Sequence, residues 1–225
     1  MVIIFQDRRQ AGRALGPVVR DAIAEEPGLD DAIVLGLPRG GVPAAFEVAR
    51  SLGLPLDVCV VRKLGVPGQE ELAMGAVASG GVVVMQSDVV HAYRIPQKTI
   101  DAVVARERLE IERREALYRD ERPPVRVEGR TVILVDDGLA TGATMTAAAR
   151  AMRALARRVV VAAPVAARST CDELRREADQ VIFLETPERF HAVGEFYRNF
   201  DQTTDSEVRA LLVQGWGSGH SPASS

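Results

Sequence analysis

The sequence contains few cysteines and no long hydrophobic run. Its two cysteines, Cys59 and Cys171, lack metal-motif spacing, and so small a number makes a disulfide framework implausible. No apolar run reaches the ~18 to 20 residues that a transmembrane helix needs. Asp7 and Arg8 come too early for the hydrophobic region of a secretory signal. We therefore expect a protein of the reducing cytoplasm that is not attached to a membrane.

Positive charge is not in excess, and aromatic residues are scarce. The 225-residue chain has a formal net charge of -3, which argues against a broadly basic nucleic-acid-binding surface. Aromatic residues make up 4% of the chain, and only Lys63 and Lys98 are lysines among the 28 basic residues. Because 47% of the residues are hydrophobic and 26% charged, the composition is typical of a soluble globular protein. The length suits one large domain.

Hydrophobic patterns predict an α/β fold in which strands alternate with helices. Short apolar runs predict buried strands over residues 32–36, 56–61, 131–135, 159–163 and 181–184, and helical spacing predicts helices over residues 7–26, 44–52, 97–120, 145–155, 171–178 and 205–213. We expect a mostly parallel, doubly wound sheet of about five strands. Ligands of such sheets bind at the carboxyl ends of the strands, beside a switch point.

The domain organisation and the remaining segments follow from the same reading. We expect one domain over residues 1–214, with a core at about 30–185. Residues 215–225, which are rich in glycine, serine and proline, would form a flexible tail. Glycine and proline predict an exposed, mobile loop over residues 62–71, and residues 72–78 and 82–86 are typical of a hairpin.

The turn after the third buried strand carries the most informative motif. Asp136 and Asp137 end the strand, and a turn containing Thr141, Gly142 and Thr144 leads into a helix. Exposed amides at a helix N-terminus, together with hydroxyls, suit a phosphate group. The adjacent carboxylates suit a vicinal diol, a divalent cation or a developing positive charge, so the combination is typical of a ribose 5-phosphate site. An ordinary turn with capped aspartates is the structural alternative.

This string resembles the phosphoribosyl pyrophosphate (PRPP) signature of type I phosphoribosyltransferases, in which two acids precede Thr-Gly-X-Thr. The resemblance implies that Asp136 and Asp137 hold the ribose hydroxyls. It also implies that the 5-phosphate is bound by Ala140, Thr141, Gly142, Ala143 and Thr144. Hypoxanthine–guanine members carry an Asp where this chain has Ala140, so no general base can be named from the loop, and the acceptor base stays open.

The turn after the first strand is rich in glycine. It contains Arg39, Gly40 and Gly41, and it resembles the Arg-Gly-Gly pyrophosphate loop of xanthine–guanine members. Two glycines allow a backbone to approach a ligand closely, and Arg39 can bind phosphate oxygens in a bidentate manner. Arg62 and Lys63 would end the second predicted strand and so lie on the same rim as Arg39, where cations would neutralise pyrophosphate. In type I enzymes a flexible loop in this region excludes water, so the resemblance implies that the loop after Lys63 closes over the substrate.

Half of the chain's aromatic residues lie between residues 183 and 200. In type I phosphoribosyltransferases a variable hood covers the base. The resemblance implies a small hood here, mainly from residues 186–214, with the N-terminus as a second source. An aromatic ring could stack on a flat base. Phe190, Tyr197 and Phe200 are therefore candidate base-binding residues. Packing of a short helix against the core is the alternative for each ring.

The resemblance implies an enzyme that transfers the 5-phosphoribosyl group from PRPP to a nitrogenous base and releases pyrophosphate. Asp136, Asp137, Arg39 and Lys63 are the candidate catalytic residues. Mg²⁺ is expected with PRPP near the two aspartates, although no direct protein ligand can be named, and a homodimer is expected. Two alternatives are a non-catalytic regulator that senses PRPP or nucleotides and a hydrolase of a phosphoribosyl compound.

Overall fold

The computed structural model describes residues 3–24, 29–120 and 122–217. Its helices are α1 (Arg8–Ile23), α2 (Gly41–Leu52), α3 (Ser87–Ala92), α4 (Gln97–Arg119), α5 (Ala143–Arg153), α6 (Arg168–Glu177) and α7 (Asp205–Gly217). Its strands are β1 (Ala32–Gly36), β2 (Leu56–Val58), β3 (Val61–Val66), β4 (Gln69–Ala78), β5 (Val83–Met85), β6 (Thr131–Val135), β7 (Arg158–Val165) and β8 (Gln180–Glu185). Of the predicted tail, residues 215–217 continue α7 and residues 218–225 lie outside the described residues.

The main sheet has five parallel strands in the order β2-β1-β6-β7-β8. This confirms the predicted doubly wound α/β fold. β1 and β6 are adjacent and fully buried, and their last residues, Gly36 and Val135, are paired in the register. Because β2 adds on one side of β1 and β6 on the other, the strand order reverses between β1 and β6. Their carboxyl ends therefore form the switch point at which such sheets bind ligands.

Helices cover both faces of this sheet because alternate strand residues point to opposite sides. Val34 and Ile133 pack in one cluster with residues of α1, α2, α4 and α7. Ile33 and Leu134 pack in a second cluster with residues of α5 and α6. Within the described residues, no helix has both the length and the hydropathy needed to cross a membrane.

A second, antiparallel sheet has the order β3-β4-β5, and it corrects two predictions. Residues 62–71 are not a loop, although residues 67–71 are exposed: β3 and β4 pair up to a turn at Pro67 and Gly68, and Leu64 is completely buried. The strand predicted over residues 56–61 is two strands that belong to different sheets. Gly65, Pro67 and Gly68 suggested a long loop, but only the last two form the turn. The predicted pairing of residues 72–78 with 82–86 is confirmed by β4 and β5.

The N-terminal segment and the segment after β8 join above the carboxyl end of β7. The backbone N–H of Phe5 donates to the carbonyl of Phe196, and that of Arg198 donates to the carbonyl of Phe5, each at 2.8 Å. Phe5, Phe196 and Tyr197 form a small buried cluster with Val165. Phe5 is thereby held beside Tyr197, whose hydroxyl contacts Asp137 in the loop that follows β6.

Candidate functional site

Asp136 and Asp137 follow β6 directly, at the switch point of the sheet. The backbone N–H of Asp137 donates to Oδ1 of Asp136 at 2.8 Å, and Asp137 is only 8% exposed. Burial, and then the charge of Asp137, raise the pKa of Asp136 well above its usual range. Burial also raises the pKa of Asp137. Two poorly solvated carboxylates favour hydroxyl donors or a centre of positive charge beside them.

The guanidinium of Arg8 binds the second of these carboxylates. Its Nε lies 2.6 Å from Oδ2 of Asp137, and the interaction lowers the pKa of Asp137 against the effect of burial. Arg8 is the first residue of α1, which Asp7 caps by accepting a 2.7 Å hydrogen bond from the N–H of Gln10. The cap fixes the start of α1 and therefore directs the Arg8 side chain towards the end of β6.

The glycines of the turn after β1 pack directly on the aspartate pair. A Cβ on Gly40 would lie 2.3 Å from Oδ2 of Asp137, and a Cβ on Gly41 would lie 2.8 Å from Cα of Asp136. Neither position has room for a side chain, so glycine is required here by contact with the protein's own carboxylates. The peptide between Pro38 and Arg39 is cis.

The turn between β6 and α5 presents backbone and hydroxyl groups at the start of a helix. Gly142 adopts a φ of 67° immediately before α5, and a Cβ there would lie 2.3 Å from the Thr170 side chain. The Thr170 hydroxyl donates to the carbonyl of Ala140 at 2.5 Å. These contacts hold the turn in one conformation with its helix N-terminus open to an anion. The exposed residues of the turn are Ala140, Thr141, Ala143 and Thr144.

Arg39 faces a polar cleft beside the aspartate pair. The cleft has a volume of ≈ 480 Å³, and its basic lining residues are Arg8, Arg39, Arg113 and Arg114. Arg39 Nη1 lies 3.7 Å from Oδ1 of Asp205 at the start of α7. Arg113 and Arg114 both bind Glu110, and these hydrogen bonds lower the pKa of that carboxyl to about 2. Four guanidinium groups with further donors to offer make this cleft suitable for a multiply charged anion.

Arg62 and Lys63 do not share one rim, because adjacent residues of a strand point to opposite faces. Arg62 faces α4, where its Nε lies 2.8 Å from Oε2 of Glu107. Lys63 faces α5 and lines a pocket of ≈ 220 Å³ together with Thr144, and its Nζ lies 3.1 Å from the carbonyl of Glu71. The prediction that they continue the second strand of the main sheet is wrong, since both lie in β3.

The three aromatic candidates differ in what they offer to a ligand. Tyr197 is buried, and its hydroxyl donates to the backbone carbonyl of Asp137. Phe190 stacks on Phe196 with ring centroids 5.3 Å apart. Phe200 is 37% exposed and stacks on Tyr197 at 5.0 Å. Of the three rings, Phe200 has the largest exposed fraction.

A family model described as a phosphoribosyl transferase domain matches residues 10–201, which include the aspartate pair and both turns. The chain belongs to this family. Two curated proteins of Mycobacterium tuberculosis, from strains H37Rv and CDC 1551 and named as phosphoribosyl transferases, are each 47% identical to it over 210 residues. These matches cover 93% of this chain and 46% of each relative, so the chain spans about half the length of the curated relatives.

The crystal structure of TT1426 from Thermus thermophilus is also similar to this phosphoribosyl transferase domain. It is 43% identical, with a TM-score of 0.82, and the match covers 94% of this chain and 99% of that one. The likeness therefore extends over most of the chain and is not confined to the signature motif.

Sequence reasoning found the two turns of this phosphoribosyl transferase domain but missed Arg8. The residue lies 129 positions before Asp137, and neither its spacing nor its neighbours distinguish it from the other arginines of α1. No local motif distinguishes Arg113 and Arg114 among the charged residues of α4 either, although the structure places them around the same cleft as Arg39. In both cases tertiary packing, rather than a local motif, brings the side chain to the site.

Proposed function

We propose that this domain transfers the 5-phosphoribosyl group of PRPP to a nitrogenous base and releases pyrophosphate. The observation that carries the proposal is the meeting of three features at the switch point: the Asp136–Asp137 pair, the open turn at residues 140–144, and the arginine cleft at Arg39. Together they match a phosphate, a diol and a diphosphate arranged on one sugar. This proposal covers a domain, since the relatives are about twice as long.

The arrangement suggests how the reaction would proceed. The 5-phosphate would accept hydrogen bonds at the start of α5, and Asp136 and Asp137 would accept them from the ribose hydroxyls. The C1–O bond would break, and its electron pair would leave with the pyrophosphate. The two carboxylates would stabilise the positive charge that develops on the ribose, because charges interact strongly where water is scarce. A nitrogen of the base would then form the new bond to C1, and the proton that this nitrogen carried would pass to the departing pyrophosphate or to water.

Departing pyrophosphate would be stabilised by the cleft, where Arg39 would act together with Arg113 and Arg114. Lys63 would approach the substrate from β3 on the side of Thr144. Ala140 provides no proton acceptor, so orientation and charge stabilisation would account for the rate. Among the three aromatic candidates, Phe200 has the largest exposed fraction and would contact a base, and Phe190 and Tyr197 would shape its surroundings.

The side chains are compatible with Mg²⁺ that arrives with PRPP. Within the described residues, no group of three or more His, Cys, Asp or Glu side chains could hold a metal ion. Mg²⁺ usually keeps several waters and binds through one or two carboxylates and substrate phosphates, a pattern that the aspartate pair fits. When bound, the ion would neutralise charge on the leaving pyrophosphate.

The proposal includes a cytoplasmic location and a homodimer. Cys59 and Cys171 are both buried free thiols, which is consistent with a reducing compartment. Sedimentation of the purified protein would test the dimer directly, since a monomeric mass would contradict it.

Pyrophosphate release tests the activity. The protein would be incubated with PRPP, MgCl₂ and each of a panel of purine and pyrimidine bases. Release that depends on one base supports transfer, whereas PRPP binding without turnover for any base would favour a sensor, and release without a base would favour a hydrolase. Asp137→Asn should reduce turnover strongly, and Asp172→Asn, which alters an exposed carboxylate on α6, is the matched control.

A further inference from the structure

The Arg8 side chain connects three parts of the molecule that are distant in sequence. Its Nε lies 2.6 Å from Oδ2 of Asp137, its Nη1 donates to the carbonyl of Asp201 at 2.6 Å, and its Cζ lies 3.8 Å from the centre of the Phe200 ring. The side chain is 11% exposed. The guanidinium is therefore held from three directions, and one of its bonds reaches a carboxylate of the candidate site.

Asp137 is restrained on several sides. Arg8 binds Oδ2, Gly40 packs against the same oxygen, and the hydroxyl of Tyr197 donates to its backbone carbonyl. An ionised carboxylate has about four acceptor positions, so the single bond from Nε leaves capacity for hydroxyl donors from a sugar. A carboxylate held in this way loses little further freedom when it binds a diol.

We propose that Arg8 is a positioning residue that orients Asp137 for the ribose hydroxyls and links that orientation to the segment carrying Phe200 and Asp201. The inference rests on the proposed function, because it assumes that a ribose binds at Asp137. In the ligand-free protein, Arg8 neutralises a buried carboxylate that burial alone disfavours. The ring of Phe200 covers the guanidinium and strengthens the ion pair by excluding water.

Arg8 also lines the arginine cleft, and this gives the alternative that it binds pyrophosphate directly. The two roles make opposite predictions for separate parts of PRPP. A positioning residue for Asp137 affects binding of ribose 5-phosphate and leaves binding of inorganic pyrophosphate unchanged. A direct pyrophosphate ligand does the reverse.

Arg9 provides a matched control for substitutions of Arg8. It is the next residue of α1, its Nε lies 2.8 Å from Oε1 of the buried Glu47, and its Cζ lies 5.2 Å from the centre of the Phe46 ring. Arg9 thus forms the same kind of ion pair and ring contact, but with residues outside the candidate site. Loss of helix stability or of an ion pair would appear in both variants, whereas an effect through Asp137 would appear only at Arg8.

The experiment measures binding of ribose 5-phosphate and of inorganic pyrophosphate, each with MgCl₂, by titration calorimetry. Arg8→Gln should weaken ribose 5-phosphate binding about tenfold or more, since a misplaced site group has a large effect, and should leave pyrophosphate binding within about twofold. Arg8→Lys keeps the charge without the planar fork and should give an intermediate loss. Arg9→Gln should bind both compounds as the wild-type protein does.

Two further measurements separate positioning from general damage. Ethylguanidinium added to Arg8→Ala should restore part of the ribose 5-phosphate affinity, because it can occupy the space of the lost side chain. Phe200→Ala should weaken ribose 5-phosphate binding in the same direction as Arg8→Gln, because Phe200 contacts Arg8. These effects would not follow from a structural defect in α1.

The outcomes distinguish this inference from the proposed function. If wild-type protein binds neither PRPP nor ribose 5-phosphate, the proposed function is overturned and the inference with it. If wild-type protein binds ribose 5-phosphate and Arg8→Gln binds it equally well, only the inference is overturned. A loss of pyrophosphate binding in Arg8→Gln, with ribose 5-phosphate binding intact, would also overturn it and assign Arg8 to the cleft.

Discussion

Asp136→Asn should stabilise the ligand-free protein and at the same time prevent it from using PRPP. The carboxyl of Asp136 has a raised pKa, first because it is buried and then because Asp137 is adjacent. Burial and the neighbouring charge therefore work against its ionised form in the folded state. Asparagine has nearly the same shape, and its Oδ1 can still accept the hydrogen bond from the N–H of Asp137. The substitution removes the charge and keeps the packing.

The expected change in the free energy of unfolding follows from the linkage between the pKa of a group and the stability of the fold. Each pH unit by which the folded-state pKa exceeds the unfolded value lowers the free energy of unfolding by about 1.4 kcal/mol once the pH exceeds both values. We expect Asp136→Asn to stabilise the protein by about 1–2 kcal/mol, which lies within the range of single stabilising substitutions. For a chain of this length, that corresponds to a rise in Tm of roughly 2–8 °C.

The sign of the pH dependence makes the prediction specific. Below about pH 4 the carboxyl is protonated in both the folded and the unfolded wild-type protein, so the variant should have little advantage there. As the pH rises towards the folded-state pKa, the wild-type protein loses stability and the variant does not. The difference should therefore be small near pH 4 and largest at pH 8.

Urea unfolding followed by circular dichroism at pH 4, 6 and 8 would measure these differences. Asp137→Asn is the control, because it also breaks the ion pair with Arg8 and should gain less stability than Asp136→Asn. Pyrophosphate release by both variants should be strongly reduced. An Asp136→Asn protein that is less stable than wild type at pH 8, or a gain that is equal at all three pH values, would refute the reasoning.

Three further predictions concern residues at and below the site. Gly40→Ala should raise the KM for PRPP about tenfold or more in steady-state assays, because its Cβ would lie 2.3 Å from Oδ2 of Asp137 and displace that carboxylate; an unchanged KM would contradict this contact. Arg119→Met should lower the free energy of unfolding by about 3–5 kcal/mol in urea titrations, because it leaves the buried Asp57 without the 2.8 Å ion pair. A loss below about 1 kcal/mol would show that this carboxylate is solvated or paired in another way. Cys59, whose pKa burial raises to about 12, should resist thiol reagents at pH 8 until urea unfolds the protein, and rapid labelling without urea would contradict its burial.

The main sheet could be predicted because its strands are buried on both faces. β1 and β6 are continuous apolar runs bounded by turn residues, and both have the predicted bounds. The small sheet could not be predicted as well, because Gly65, Pro67 and Gly68 interrupt the alternation that normally indicates a strand. In the structure a bulge beside Gly65 accommodates the irregularity, and α4 and α5 cover the two faces of the hairpin. Both helices are distant in sequence from the hairpin, so no local sequence pattern indicates that they cover it.

The candidate site divides in the same way. The sequence predicts the aspartate pair and the following turn because all of their functional groups lie in one short segment after a buried strand. Arg8 was missed because it reaches Asp137 through tertiary packing. The predicted grouping of Arg62 with Lys63 is wrong because side chains alternate along β3. Arg62 therefore faces α4, whereas Lys63 faces α5.

The features that make this site chemically useful are the ones that folding alone would not favour. Asp136 is a carboxylate in surroundings that favour its neutral form, and Gly40 and Gly41 give the backbone more freedom in the unfolded state than any other residue would. Arg8 offsets part of the unfavourable charge at the aspartate pair by neutralising Asp137. A bound ribose would offset more, since its hydroxyls would donate to the same oxygens. Ligands should therefore stabilise the wild-type protein more than Asp136→Asn, because the variant has already lost the charge that the ligand would satisfy. Measuring the Tm with and without ribose 5-phosphate would test this argument, and an equal ligand-induced rise in both proteins would contradict it.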